Sequence, residues 1–337
     1  MTTRTSAPTP DPGSLLPQHA RAVRVVAAVV ALAGGAAFAS GRVSAPVEPA
    51  AAPPREVVVD AERTRFDLTP YRGLGTWVDV YDWSRSFTGG RPVVGPADVD
   101  AMAAAGVQTL FLQTAKAEFA GDLVDPDLLV PLVERARAKG LRVVGWYVPA
   151  FLDEESDFRR LRATVALGVD GVAVDIEARN LSDVAERNRR LVALSVRLRE
   201  SLPGRAIGGI VMPPVVMDVI NPAWWPGFPW RELAPNFDVW LPMSYSTERG
   251  AASAWHDGYR YSIENILRLR DRLGQPGAPV HTISGIADRL TRADLEGTLR
   301  AVDETGALGA SLYDWHTTGA VAWPFLQPLR SLNSSRS

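Results

Sequence analysis

The sequence predicts a single (β/α)8 TIM barrel of the α/β class, and three observations carry that prediction. From Tyr71 onward short apolar runs alternate with longer amphipathic ones, the pattern of repeated βα units around a parallel sheet. Eight such apolar runs occur, the number that closes a barrel. Ala105-Gly106-Val107, Leu167-Gly168-Val169 and Thr305-Gly306-Ala307 each set a glycine between an amphipathic run and the apolar run that follows, so one αβ-loop chemistry recurs around the ring.

Taken in order, the predicted strands are Gly73 to Val80, Val107 to Gln113, Leu141 to Val148, Val169 to Glu177, Ala206 to Met212, Phe237 to Tyr245, Val280 to Ala287 and Ala310 to Trp315. The helices between them carry end signals. Pro126 opens one that stops at Lys139-Gly140, a basic last turn followed by glycine. Ser182 is the expected N-cap of Val184 to Leu202, and Thr291 that of Arg292 to Glu304.

Ahead of the barrel, residues 1–44 read as an export segment. A polar, Pro-rich lead ends in Arg21 and Arg24, an apolar run follows from Val25 to Ala39, and Ala37-Phe38-Ala39 fits a small-x-small cleavage site. The run is shorter than the roughly 20 residues of a spanning helix, so removal is favoured over retention as a membrane tether. Either way, arginines before the apolar run place the barrel outside the cytoplasmic membrane, extracellular or in the cell envelope. Residues 45–70 form an Ala/Pro-rich linker and lead-in, 71–332 the barrel, and 333–337 a polar tail.

Composition narrows the function. The formal charge of -2 supplies no basic field for a nucleic-acid partner. The absence of cysteine removes disulfides, thiolate nucleophiles and Cys-ligated metals. The histidines, His19, His256, His281 and His316, match no ligand spacing, so neither a metal nor a cofactor is predicted. No GxSxG elbow, P-loop or complete dinucleotide fingerprint occurs.

Barrel chemistry sits at the C-terminal ends of the strands. Those ends offer Asp79, Gln113, Tyr147, Asp175 with Glu177, Met243 with Tyr245, and Trp315. In Asp170 to Glu177 the apolar Val172, Val174 and Ile176 alternate with Ala173, Asp175 and Glu177, so both acids face into the barrel mouth. Two positions along a strand is roughly 6.5–7 Å between Cα atoms, close enough for each charge to raise the other's proton affinity. One of the pair is thereby kept protonated near neutral pH, as a general acid for glycosidic cleavage requires. A salt-bridge cluster with arginines such as Arg179 is the structural alternative. After the fifth strand, Trp224, Trp225, Phe228 and Trp230 lie among prolines, with Trp225 the foremost candidate for stacking on sugar.

These residues resemble glycoside hydrolase family 18, the chitinase-like group. Asp170 to Glu177 is similar to its DxxDxDxE signature, Leu241-Pro242-Met243-Ser244-Tyr245 to its Met-x-Tyr motif, and Trp315 to its strand-eight tryptophan. The resemblance implies a retaining hydrolase of N-acetylhexosamine polysaccharide, peptidoglycan or chitin-like. Glu177 would be the general acid, Asp175 and Tyr245 would hold the substrate's own attacking acetamido group, and Trp315 would floor the subsite. Ala173 and Ser246 stand where the family carries aspartates, so the implied proton relay lacks two members and a glycan-binding barrel without turnover is the alternative. Val78-Asp79-Val80-Tyr81-Asp82-Trp83 with a later DxE is similar in plan to family 25 muramidases, in which Asp79 would face Asp175 and Glu177.

Overall fold

The computed structural model describes residues 66–333. The export segment, the linker up to position 65 and the tail beyond 333 lie outside the described residues. Eight parallel strands pair in chain order and close: β1 (Gly73–Val78), β2 (Thr109–Gln113), β3 (Arg142–Tyr147), β4 (Gly171–Ile176), β5 (Ile207–Val211), β6 (Val239–Ser244), β7 (His281–Ile286) and β8 (Gly309–Tyr313). Each lies within or beside its predicted run. The (β/α)8 prediction holds.

Among the described residues six helices of two turns or more surround the strands: α1 (Pro96–Ala104), α2 (Pro126–Ala138), α3 (Glu154–Ala166), α4 (Val184–Ser201), α5 (Gly258–Leu273) and α6 (Arg292–Thr305). After β5 the helix position is taken by a π-helical turn at Val216–Ile220 and a single turn at Trp230–Leu233. Among the described residues no helix is long and apolar enough to cross a membrane. Thr291 caps α6 as expected, in a reciprocal box with Asp294. The cap of α4 is Asp183, whose carboxylate accepts from Glu186 N at 3.1 Å, and not Ser182. Gly106, Gly168 and Gly306 have φ of 84°, 76° and 63°, the left-handed turn that a side chain disfavours.

The barrel interior is aromatic. Trp77 stacks on Phe111 at 4.4 Å, meets Trp146 edge-on at 5.6 Å and donates through Nε1 to Ser311 Oγ at 2.7 Å. These contacts fix the inward parity of β1, β2, β3 and β8. Gly75 makes room for them, because a Cβ there would lie 2.6 Å from the Phe111 ring. Tyr71 plugs the opposite end of the barrel and donates to the Val172 carbonyl at 2.7 Å. A Cβ on Gly171 or Gly208 would strike its ring or hydroxyl within 3 Å, so the two glycines create the socket. His281 packs against Phe111 and meets the Tyr71 carbonyl at 2.8 Å; burial lowers its pKa to about 4, so the imidazole stays neutral.

Candidate active site

On β4, Val172, Val174 and Ile176 are buried toward the helices while Ala173 and Asp175 face inward, as the alternation requires. Asp175 is 6% exposed, and its Oδ1 has no hydrogen-bond partner among the described residues. Glu177 follows the end of β4 and is half-buried. Burial, then the Glu177 charge, holds the Asp175 carboxyl well above the ordinary carboxylate range. Burial also raises Glu177, and the Lys116 ammonium opposes both shifts. The net direction favours a proton retained on the pair.

Tyr245 lies directly after β6, 3% exposed. Its hydroxyl is held well above its usual pKa by burial and then by the charges of Asp175, Glu177, Asp314 and Asp79. It therefore stands as a neutral donor between two groups of acids. Met243 shares its inward parity two residues earlier and is buried. Ser246 is buried and opens a short turn to Glu248.

The second group of acids is Asp79, Asp82 and Asp314, whose nearest oxygens lie within 4.8 Å of one another. β1 ends at Val78 rather than Val80 because Asp79 caps a helical turn at Val80–Trp83, accepting from Tyr81 N at 2.7 Å. Its other oxygen accepts from the Tyr313 hydroxyl at 2.7 Å. Burial and Asp314 raise the Asp79 pKa to about 6. Burial, Asp79 and Asp314 push Asp82 up to about 10, and burial raises Asp314 as well. Three carboxylates are a ligand set of the kind hard divalent cations take, but both Asp79 oxygens already have protein donors and the high proton affinities describe carboxyls that share protons. Asp82, Tyr313 and Asp314 escape a strand-by-strand reading because they converge only once β8 pairs with β1.

A cleft of about 740 Å³ opens on the β2 to β4 side of the mouth, lined by Gln113, Lys116, Asp157, Glu177, Arg179 and Trp224 among others. Of the predicted catalytic residues only Glu177 lines it; Asp175 and Tyr245 lie deeper. Gln113 is 3% exposed, and its Oε1 accepts from Val80 N at 3.1 Å, which holds the turn after β1. Lys116 reaches Glu118 at 3.5 Å and lies over the Tyr81 ring at 5.5 Å.

Three predicted substrate contacts are corrected. Tyr147 faces the helix layer, since Trp146 takes the inward position; it is fully buried, and its hydroxyl donates to Asp157 Oδ1 at 2.6 Å. Trp225 is 2% exposed, with its Nε1 donating to Asn188 Oδ1 at 2.7 Å and its ring packed edge-on against Phe151 and Phe228, so it fastens the loop to α4. Trp315 turns toward α1, donating to Asp98 Oδ1 at 3.3 Å and lying 5.2 Å from the Trp323 ring. The inward aromatic at the end of β8 is Tyr313, 5.9 Å from the Tyr245 ring and 6.3 Å from Trp77.

No family model matches the sequence, and no curated protein matches it. Solved structures do match in shape. The spore cortex-lytic enzyme SleL of Bacillus cereus superposes with a TM-score of 0.56 at 11% identity, over 76% of this chain and 73% of that one. A class V chitinase from Pseudomonas fluorescens Pf-5 gives 0.54 at 11%, over 76% and 98%. The endo-1,4-β-D-mannanase of Thermotoga petrophila RKU-1 gives 0.50 at 11%, over 72% and 88%. The distant resemblance to chitinase-like barrels is thus borne out in the fold; identities this low say nothing further.

Proposed function

We propose that this chain is a glycoside hydrolase acting on N-acetylhexosamine-containing polysaccharide, of peptidoglycan or chitin-like type, by a retaining, substrate-assisted route. The observation that carries the reading is Asp175 Oδ1, a buried acceptor without a donor among the described residues, set beside a half-buried carboxyl on a cleft. A buried acceptor left unmade costs about 1–3 kcal/mol, and the N–H of a substrate acetamido group is the donor that would relieve it. Glu177 transfers its proton to the glycosidic oxygen as the acetamido oxygen closes on the anomeric carbon. Asp175 balances the charge that develops on the acetamido nitrogen, and Tyr245 donates to the acetamido oxygen. Water, deprotonated by Glu177, then opens the intermediate and returns the proton. The sugar must reach below the surface of the cleft for this to occur, since Asp175 and Tyr245 are 6% and 3% exposed.

Ala173 favours a second reading, a glycan-binding barrel without turnover. It is fully buried on the inward face beneath Asp175, where the implied relay has its second carboxylate. The muramidase-like arrangement draws less support, because Asp79 is engaged by Tyr313 and Tyr81. The export signature of residues 1–44 leads us to propose action outside the cytoplasmic membrane, free or tethered. Incubating the full chain with chitin oligosaccharides and with purified cell-wall glycan, and following products by NMR, tests the reading. Release of reducing sugars with retained anomeric configuration supports it; inverted products contradict the route, and binding without product favours the second reading.

A further inference from the structure

Arg179, which lines the cleft with Glu177, and the nearby Arg187 are guanidinium groups that pair with no carboxylate among the described residues. Arg179 is exposed, lies on the Trp224 ring at 3.8 Å and donates through Nη1 to the Trp224 carbonyl at 3.3 Å. Arg187, in the first turn of α4, lies on the adjacent Trp225 ring at 4.1 Å and donates to the Leu181 carbonyl at 2.9 Å. Arg187 is only 3% exposed, and its Nε has no hydrogen-bond partner among the described residues. The charge it feels is the like charge of Arg179, which with burial pulls its pKa below the usual guanidinium range. Taking the Arg187 cation from water without a counter-charge is unfavourable, and an anion held by the exposed Arg179 nearby would offset that cost.

The nearby acids are committed elsewhere. Glu186 pairs with Arg189 and Arg190, and Glu154 with Arg189. Along the cleft, Asp157 accepts from Tyr147 and from the backbone of Ala150 and Phe151, Asp153 caps α3, and Glu118 meets Lys116. The Trp224 face that a neutral sugar would stack on is covered by the Arg179 plane, which leaves the rim presenting donors in a flat fork.

We propose that this end of the cleft is an anion subsite, in which Arg179 holds a carboxylate carried by a sugar-acid residue of the glycan and Arg187 adds its charge from behind. The proposal rests on the glycoside hydrolase reading and narrows its substrate from N-acetylhexosamine polymers in general to carboxylated ones. The guanidinium fork matches a carboxylate bidentately. A phosphorylated glycan offers the same anionic chemistry, and the experiment separates the two.

The test is calorimetry on the full chain carrying Glu177→Gln, which suppresses turnover. The probes are a neutral chitotetraose, the peptide-free tetrasaccharide of alternating N-acetylglucosamine and N-acetylmuramic acid, and a phosphorylated chitotetraose. The carboxylated sugar should bind about ten-fold tighter than the neutral one at low salt, an advantage that shrinks near about 0.5 M salt. Adding Arg179→Gln should remove most of that advantage and leave neutral binding in place, while Arg179→Lys retains part of it. Equal binding of neutral and carboxylated sugars, tighter binding of the phosphorylated one, or equal weakening of all by Arg179→Gln would overturn the subsite and leave the glycosidase reading standing. Binding of none of them would overturn both.

Discussion

The Tyr313 hydroxyl donates to Asp79 Oδ2 at 2.7 Å, joining the last strand of the barrel to the first across 234 positions of sequence. That bond stabilises the ionised form of a carboxyl which burial and Asp314 otherwise push upward. Tyr313→Phe should therefore raise the apparent pKa of Asp79 above its value of about 6, by about one unit. Carboxyl-carbon NMR titration of the wild type and the variant reads the shift directly; an unchanged or lowered value contradicts the bond.

Lys116 is the cation whose charge lowers both Asp175 and Glu177. Lys116→Met removes it, so both acids should bind protons more tightly. In the proposed chemistry Glu177 must start protonated and Asp175 must start ionised, so Asp175 sets the acid limb and Glu177 the basic one. Both limbs of the kcat/KM profile should then move to higher pH, by about 0.5–1 unit. A profile displaced to lower pH, or not displaced, contradicts the assigned role.

The acidic cluster has a signature in stability. Asp79 and Asp82 have folded pKa values raised to about 6 and about 10, above the unfolded value of 3.8. The folded state therefore binds more protons, and the stability these groups contribute is present below about pH 4 and lost as pH rises through the folded values. Asp82→Asn removes the larger part of that dependence. Its melting temperature should exceed the wild type's by several degrees at pH 8 and match it near pH 4, as calorimetry across pH would show; a variant less stable at pH 8 contradicts this.

The period of two made β4 readable, because polar and apolar residues alternate from Val174 to Glu177 and only one face can carry the acids. On β3 the same rule has little to grip. After Arg142 every residue to Tyr147 is apolar or aromatic, so the sequence does not say whether Trp146 or Tyr147 faces in, and the packing of Trp77 decides it. The aromatic loop after β5 failed differently. A tryptophan among prolines can grip sugar or grip its own scaffold with the same chemistry, and the Asn188 partner of Trp225 lies on α4, 37 positions away. Tyr313 and Asp314 carried a signal in being polar at a strand end, but their meaning depends on closure of β8 onto β1. The α4 cap slipped by one position because Ser182 and Asp183 are both capable of the bond and the backbone selects the second.

In the proposed reaction Glu177 delivers the proton to the departing sugar, and the rate of cleavage by Glu177→Gln reads that role. The wild-type full chain and the variant are compared on an N-acetylglucosamine-containing polymer, with folding of both verified by circular dichroism. A group of this kind contributes about 10²–10⁴-fold, so kcat should fall by that factor while binding of the polymer persists. Cleavage by the variant at the wild-type rate would contradict the account.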